Sequence, residues 1–157
     1  MSHTYRIAVG VDGSAGGLRA LRWACREAAT RDAVVDAVIV WTWDPANATE
    51  LGYLDQQRIA AEDTLGTAIV QALNDNPRVA VRPHVIVDEP ARGLILAAKD
   101  ADILVLGSHG HGHIYHALLG SVAEACIRAA TCPIVVIPAA REDHDKQDRT
   151  ALAAVAG

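Results

Sequence analysis

An apolar run that empties into a glycine loop constrains this chain more than any other feature. Ile103, Leu104, Val105 and Leu106 follow one another without a polar break, the pattern of a central parallel strand covered on both faces. Gly107, Gly110 and Gly112 come next, and Gly120-Ser121 opens a helical pattern. We read these glycines as turning the backbone through positive φ and bringing main-chain N–H groups close to a ligand, where a Cβ would obstruct. The first N–H groups of the helix lack intrahelical partners and lie at its positive end. The stretch from Ile103 to Ser121 therefore reads as a cradle for an anion.

Length and charge limit the partners. The 157 residues, 51% of them hydrophobic, suit one domain with a substantial core. The net charge of -5 and the lack of a Lys/Arg cluster argue against nucleic acid as a partner; Arg19, Arg22 and Arg26 read as the wet face of a helix. No apolar run approaches the roughly 20 residues of a spanning helix, and the first residues lead into a strand without a signal-peptide core. A cytoplasmic protein with no membrane partner is expected. Cys25, Cys126 and Cys132 lie in apolar or helical contexts and read as buried free thiols rather than disulfides or metal ligands.

The rest of the chain alternates strand and helix. Tyr5 to Val11 is a strand that delivers Asp12 to its C-terminal end, and Ser14 or Asp12 caps the helix that follows. Leu18, Leu21, Cys25 and Ala28 form the apolar stripe of that helix. Val34 to Trp43 is a second strand, stopped by Asp44-Pro45; Trp41 and Trp43 share a face as core or pocket wall, and Thr42 points the other way. Ala46 to Gln57 reads as an irregular mobile loop over the strand ends. A helix is expected from Ile59 to the Asn74-Asp75-Asn76-Pro77 stop, a strand over Val79 to Val87, and a helix beginning at Pro90. A helix with Leu119, Val122, Ala123, Cys126 and Ala130 inward follows, then an edge strand between Pro133 and Pro138. Residues 1–140 make the domain, and 141–157 read as a polar, then alanine-rich, disordered tail. Such alternation requires an α/β fold, a parallel sheet with helices on both faces, and ligands beyond the carboxyl ends of its strands.

Gly107-x2-Gly110-x9-Gly120-Ser121, together with Val9-Gly10-Val11-Asp12-Gly13-Ser14 and Cys132-Pro133-Ile134-Val135-Val136-Ile137, resembles the universal stress protein family, specifically its ATP-binding branch. The resemblance covers Tyr5 to Pro138. It implies a Rossmann-like, adenine nucleotide alpha hydrolase-like sheet with strand order 3-2-1-4-5, and a homodimer paired through the last strand. It implies that Gly10, Val11 and Asp12 border the nucleoside, with Asp12 near the ribose or a phosphate-bound Mg²⁺ or Mn²⁺. Thr42 would offer main-chain groups to the adenine. Leu106, Gly107, Ser108 and Gly110 would wrap ribose and α-phosphate, and Gly120, Ser121 and Val122 would hold the outer phosphates. Family members often carry Arg or Lys inside the glycine loop, where this chain has His111 and His113. A triphosphate would then rely on backbone N–H groups and a bound divalent ion.

Blander roles compete for the same residues. Ser121-Val122-Ala123-Glu124 fits a capping box, which would satisfy the helix start without a ligand, and Asp12 fits a turn-and-cap residue. His109, His111, His113 and His116 lack the carboxylate or Cys that would complete a zinc set, so we expect some in solvent and one or two on the phosphate side. The sequence holds no Gly-x4-Gly-Lys-Ser/Thr and no Gly-x-Ser-x-Gly. The expectation is binding of ATP rather than turnover, by a stress-response dimer that signals nucleotide occupancy to an unknown downstream protein. A dimeric module without nucleotide, a binder preferring AMP or cyclic AMP, and a slow ATP hydrolase with at most trace turnover are the alternatives.

Overall fold

The computed structural model describes residues 3–46, 52–111 and 119–140. Five strands alternate with four helices: β1 (Arg6–Gly10), α1 (Ala15–Arg31), β2 (Val34–Trp41), α2 (Tyr53–Leu73), β3 (Ala80–Val87), α3 (Pro90–Ala97), β4 (Ile103–Gly107), α4 (Ser121–Ala129) and β5 (Ile134–Ile137). All pairings are parallel, in the order β3-β2-β1-β4-β5. β1 pairs with β2 on one side and β4 on the other, so the order reverses between β1 and β4 and leaves a crevice above their carboxyl ends.

The period of two along the central strands divides the core into layers. Ile7, Val9, Val35 and Val105 face α1 and α2, where Leu21, Cys25 and Leu65 cover them; Ala8, Val38, Leu104 and Leu106 face Ala91 and Leu94 of α3 and Ala123 and Cys126 of α4. Ile7, Val9, Val35, Leu104 and Val105 are fully buried, each contributing about 1.5–3 kcal/mol by leaving water. Burial also pushes the thiols of Cys25 and Cys126 up to about 11, so both act as small apolar side chains. All three cysteines are free, but only Cys25 and Cys126 are buried; Cys132, just past α4 and beside the edge strand, is partly exposed, contrary to expectation.

Several expected boundaries move. β2 ends at Trp41, and Trp43 lies beyond it at 47% exposure, so of these two Trp41 alone packs against the core. α2 begins at Tyr53, inside the stretch expected to be irregular. Its first turn exposes Leu54, and Ile59 and Val70 are exposed further along, so the helix start carries no readable apolar stripe. Residues 47–51 of that stretch, Gly112, His113 and His116, and the expected tail at 141–157 lie outside the described residues.

Candidate functional site

β1 and β4 deliver their ends to the crevice from below, and two glycines bring α1 onto them. A Cβ on Gly107 would stand 2.9 Å from the backbone carbonyl carbon and oxygen of Gly16, and one on Gly16 would stand 2.5 Å from the carbonyl oxygen of His109. Backbone rests on backbone at this point, which explains Gly107 better than the positive φ expected of it. Among the described glycines only Gly13 and Gly52 have positive φ. Gly110 is also a close-approach residue, since its Cβ would fall 2.5 Å from Oδ2 of Asp12. Gly17, which the motif did not single out, plays the same part against Oδ1 of Asp12, at 2.9 Å. The Gly16-Gly17 pair at the start of α1 was its visible signal.

The crevice holds about 230 Å³. Its lining includes ten of the eleven residues expected at the site: Gly10, Val11, Asp12, Leu106, Gly107, Ser108, Gly110, Gly120, Ser121 and Val122. Val40, Pro90 and Leu94 join Leu106 to make an apolar wall, and His109 and His111 stand on the polar side. Thr42 is the exception. It follows the end of β2, its hydroxyl donates to the carbonyl of Asp88 at 3.3 Å, and it is not part of the lining.

Asp12 takes both a capping-turn role and a place in the crevice. Its Oδ1 accepts from the N–H of Ser14 at 3.0 Å and from the Ser14 hydroxyl at 2.5 Å, while Ser14 caps α1 by accepting from the N–H of Gly17 at 3.1 Å. Oδ2 remains on the Gly110 side. His111 is fastened to the same turn: its Nε2 lies 2.7 Å from the carbonyl oxygen of Asp12. A carbonyl only accepts, so Nε2 carries the proton. Ser108, buried, sets its hydroxyl 3.1 Å from Nδ1 of His109.

The start of α4 differs from the capping box expected of it. Gly120, not Ser121, is the N-cap, and it makes no side-chain cap hydrogen bond. Ser121 is the first helical residue and is exposed. The N–H of Gly120 is held by the carbonyl of Ser108 at 2.6 Å, and Glu124 N–H by Gly120 at 3.0 Å. Among the described residues no hydrogen bond reaches the N–H groups of Ser121, Val122 and Ala123, and all three residues line the crevice. An anion placed there would meet unspent donors and the positive end of the helix dipole.

Residues 4–138 match the model of the universal stress protein family. The chain belongs to the universal stress protein family. A universal stress protein of Mycolicibacterium smegmatis is 32% identical over 140 residues, covering 85% of this chain and 48% of that protein; the chain spans about half the length of the curated relatives it matches. A universal stress protein of Archaeoglobus fulgidus, solved in complex with dAMP, is similar at 27% identity and a TM-score of 0.64, over 87% of this chain and 99% of that one. A different universal stress protein, solved in complex with cAMP, is similar at 26% identity and a TM-score of 0.57, over 87% of this chain and 98% of that one. In this universal stress protein the polar end of the crevice would hold a divalent ion only with help. Among the described residues no group of three or more His, Cys, Asp or Glu could ligate one. Asp12 fits as a single carboxylate beside a ligand's own phosphate oxygens, the usual arrangement for Mg²⁺.

Proposed function

We propose that this protein binds an adenine nucleotide in the crevice between β1 and β4 and acts in the cytoplasm as a stress-response dimer whose surface reports whether the site is filled. The observation that carries the reading is the trio of N–H groups at Ser121, Val122 and Ala123, without a hydrogen-bond partner among the described residues and lining a crevice whose other wall is apolar. One end suits a phosphate and the other a flat base. Relatives solved with dAMP and cAMP support the adenine nucleotide class. ATP belongs to that class, and it would enter with Mg²⁺ or Mn²⁺ shared between its phosphates and Asp12, the ion offsetting charge that the side chains here do not.

The dimer is proposed through β5. Its four residues are all apolar and all only half-buried, at an edge of the sheet, whereas the opposite edge, β3, is blunted by Pro83 and by exposed Arg82 and His84. The proposal is binding rather than catalysis, and it draws support from the lack of a Walker lysine in the sequence to hold a γ-phosphate in line for attack.

The test is to denature freshly purified protein, identify any released nucleotide by mass spectrometry, and titrate the emptied, refolded protein with AMP, cyclic AMP and ATP. Saturable binding of an adenine nucleotide is expected. Failure of all of them to bind would leave a dimeric interaction module in place of a nucleotide sensor.

A further inference from the structure

The face of the sheet that packs on α3 is only partly covered. Ala91 and Leu94 of α3 close over Ala8 and Val38, but Arg82 and His84 of β3, which pair with Asp36 and Val38 of β2 and share their face, stand exposed. Asp36 lies beneath them with 3% of its side chain exposed, and three side chains converge on it. Arg6 gives Oδ2 two hydrogen bonds at 2.8 and 3.1 Å, while Nε2 of His84 and Nε of Arg82 reach Oδ1 at 2.8 and 3.3 Å. Replacing a buried ion cluster of this kind by apolar packing is often neutral, so stability alone does not account for it.

The cluster fixes the chemistry of the His84 ring. Burial raises the Asp36 carboxyl, but the bonds from His84 and Arg6 and the charges of Arg6 and Arg82 hold it below the usual carboxylate range, so at neutral pH it is ionised and only accepts. Nε2 of His84 therefore carries a proton, and in the neutral ring the lone pair sits on Nδ1. Nδ1 has no hydrogen-bond partner among the described residues, and 43% of the side chain is exposed. Such a nitrogen is a nucleophile, oriented by a carboxylate that also balances the charge the ring gains when a bond forms. The guanidiniums of Arg6 and Arg82 oppose a metal cation beside it and favour an electrophile that carries negative charge. Each has N–H donors to spare beyond those spent on Asp36, and such forks match phosphoryl oxygens. We propose that His84 is a phosphoryl acceptor, taking the group onto Nδ1 from a small activated donor of the acyl phosphate class. The Nδ1 lone pair forms the N–P bond as the P–O bond to the acyl group breaks; the carboxylate leaves with that electron pair, and Nε2 keeps its proton against Asp36. None of Arg6, Asp36, Arg82 and His84 lines the crevice between β1 and β4, so this site stands or falls independently of nucleotide binding.

Incubation of the full chain with acetyl phosphate tests this, at about pH 8, above the range in which ordinary imidazoles titrate. Mass spectrometry locates the phosphorylated residues over time, and ³¹P–¹⁵N NMR in alkaline solution, which preserves P–N bonds, identifies the ring nitrogen. The chain has seven histidines, and those other than His84 measure the background reactivity of an imidazole. His84 should be phosphorylated at least about tenfold faster than any of them, and at Nδ1. Arg82→Gln, a change at an exposed side chain, should slow the reaction at least about fivefold in a folded chain. Phosphorylation of His84 no faster than that of the other histidines, or at Nε2, would overturn the proposal, as would a folded Arg82→Gln chain that reacts at the parent's rate.

Discussion

Gly107 and Gly66 show how one substitution can have opposite outcomes. A methyl at Gly107 would press on the backbone of Gly16 at 2.9 Å, where no side chain end can move aside; Gly107→Ala should therefore cost about 1–3 kcal/mol in urea denaturation. Gly66 lies inside α2, and a methyl there would have nothing within 4 Å of it, so Gly66→Ala should gain about 0.5–1 kcal/mol. A Gly107→Ala chain as stable as its parent would contradict the close seat of α1 on β4. Asp36 is the other decisive residue. It is buried, its Oδ2 accepts from Arg6 at 2.8 and 3.1 Å, its Oδ1 lies 2.8 Å from Nε2 of His84, and Arg82 approaches to 3.3 Å. Burial pushes its carboxyl up, but the bonds from His84 and Arg6 and the charges of Arg6 and Arg82 outweigh this and hold it below the usual carboxylate range. The folded carboxyl thus titrates below the unfolded one, so its contribution is present at neutral pH and is lost as pH falls below about 4. Denaturation midpoints should drop more steeply on acidification in the parent than in Asp36→Asn; parallel curves would contradict the pairing. The position of the site glycines was legible in their spacing. Their physical reason was not, because a close approach between Gly107 and Gly16 joins residues far apart in sequence, and a motif cannot show which backbone lies above it.

At the scale of elements, α4 matters most for the proposed binding. The Ser121 to Glu124 pattern satisfies the letter of a capping box, yet Ser121 is already helical, and Gly120 stands at the cap in extended backbone (φ -73, ψ 159). The bond from Gly120 N–H to Ser108 fixes that entry, and sequence alone does not reveal it. Gly120→Asp would supply the missing cap and a negative charge together. Its effect on helix stability should be within a few tenths of a kcal/mol, while nucleotide affinity should fall at least tenfold, because the carboxylate competes for the N–H groups that a phosphate would take. Titration and denaturation of the same preparation separate the two. Affinity equal to the parent's would mean that the start of α4 does not receive the ligand. A Cβ at Gly120 meets the Ser108 carbonyl at 3.3 Å, so bulk alone at this position acts on the protein's own backbone. The central strands and the α3 start at Pro90 followed directly from apolar runs and proline placement. The start of α2 did not, since its exposed Leu54 and Ile59 mask the helical period.

For the whole molecule, the sheet order places the ends of β1 and β4 side by side and leaves β5 at an edge, both consequences of the parallel winding. The strand order itself entered through the family resemblance, since alternation of strand and helix permits more than one order. Val136→Glu should convert the proposed dimer to monomer, read as a halved mass in light scattering, because a charge in the middle of β5 would face a partner strand. A dimer that persists would move the interface elsewhere. The central claim is that the first turn of α4 accepts the phosphate of an adenine nucleotide. Its most direct measurement is the set of backbone amide ¹H–¹⁵N shifts during titration with AMP. The largest movements are expected at Ser121, Val122, Ala123 and Gly110, with the amides of β3 still; movement elsewhere with those four stationary, or no movement at saturating AMP, would contradict the claim.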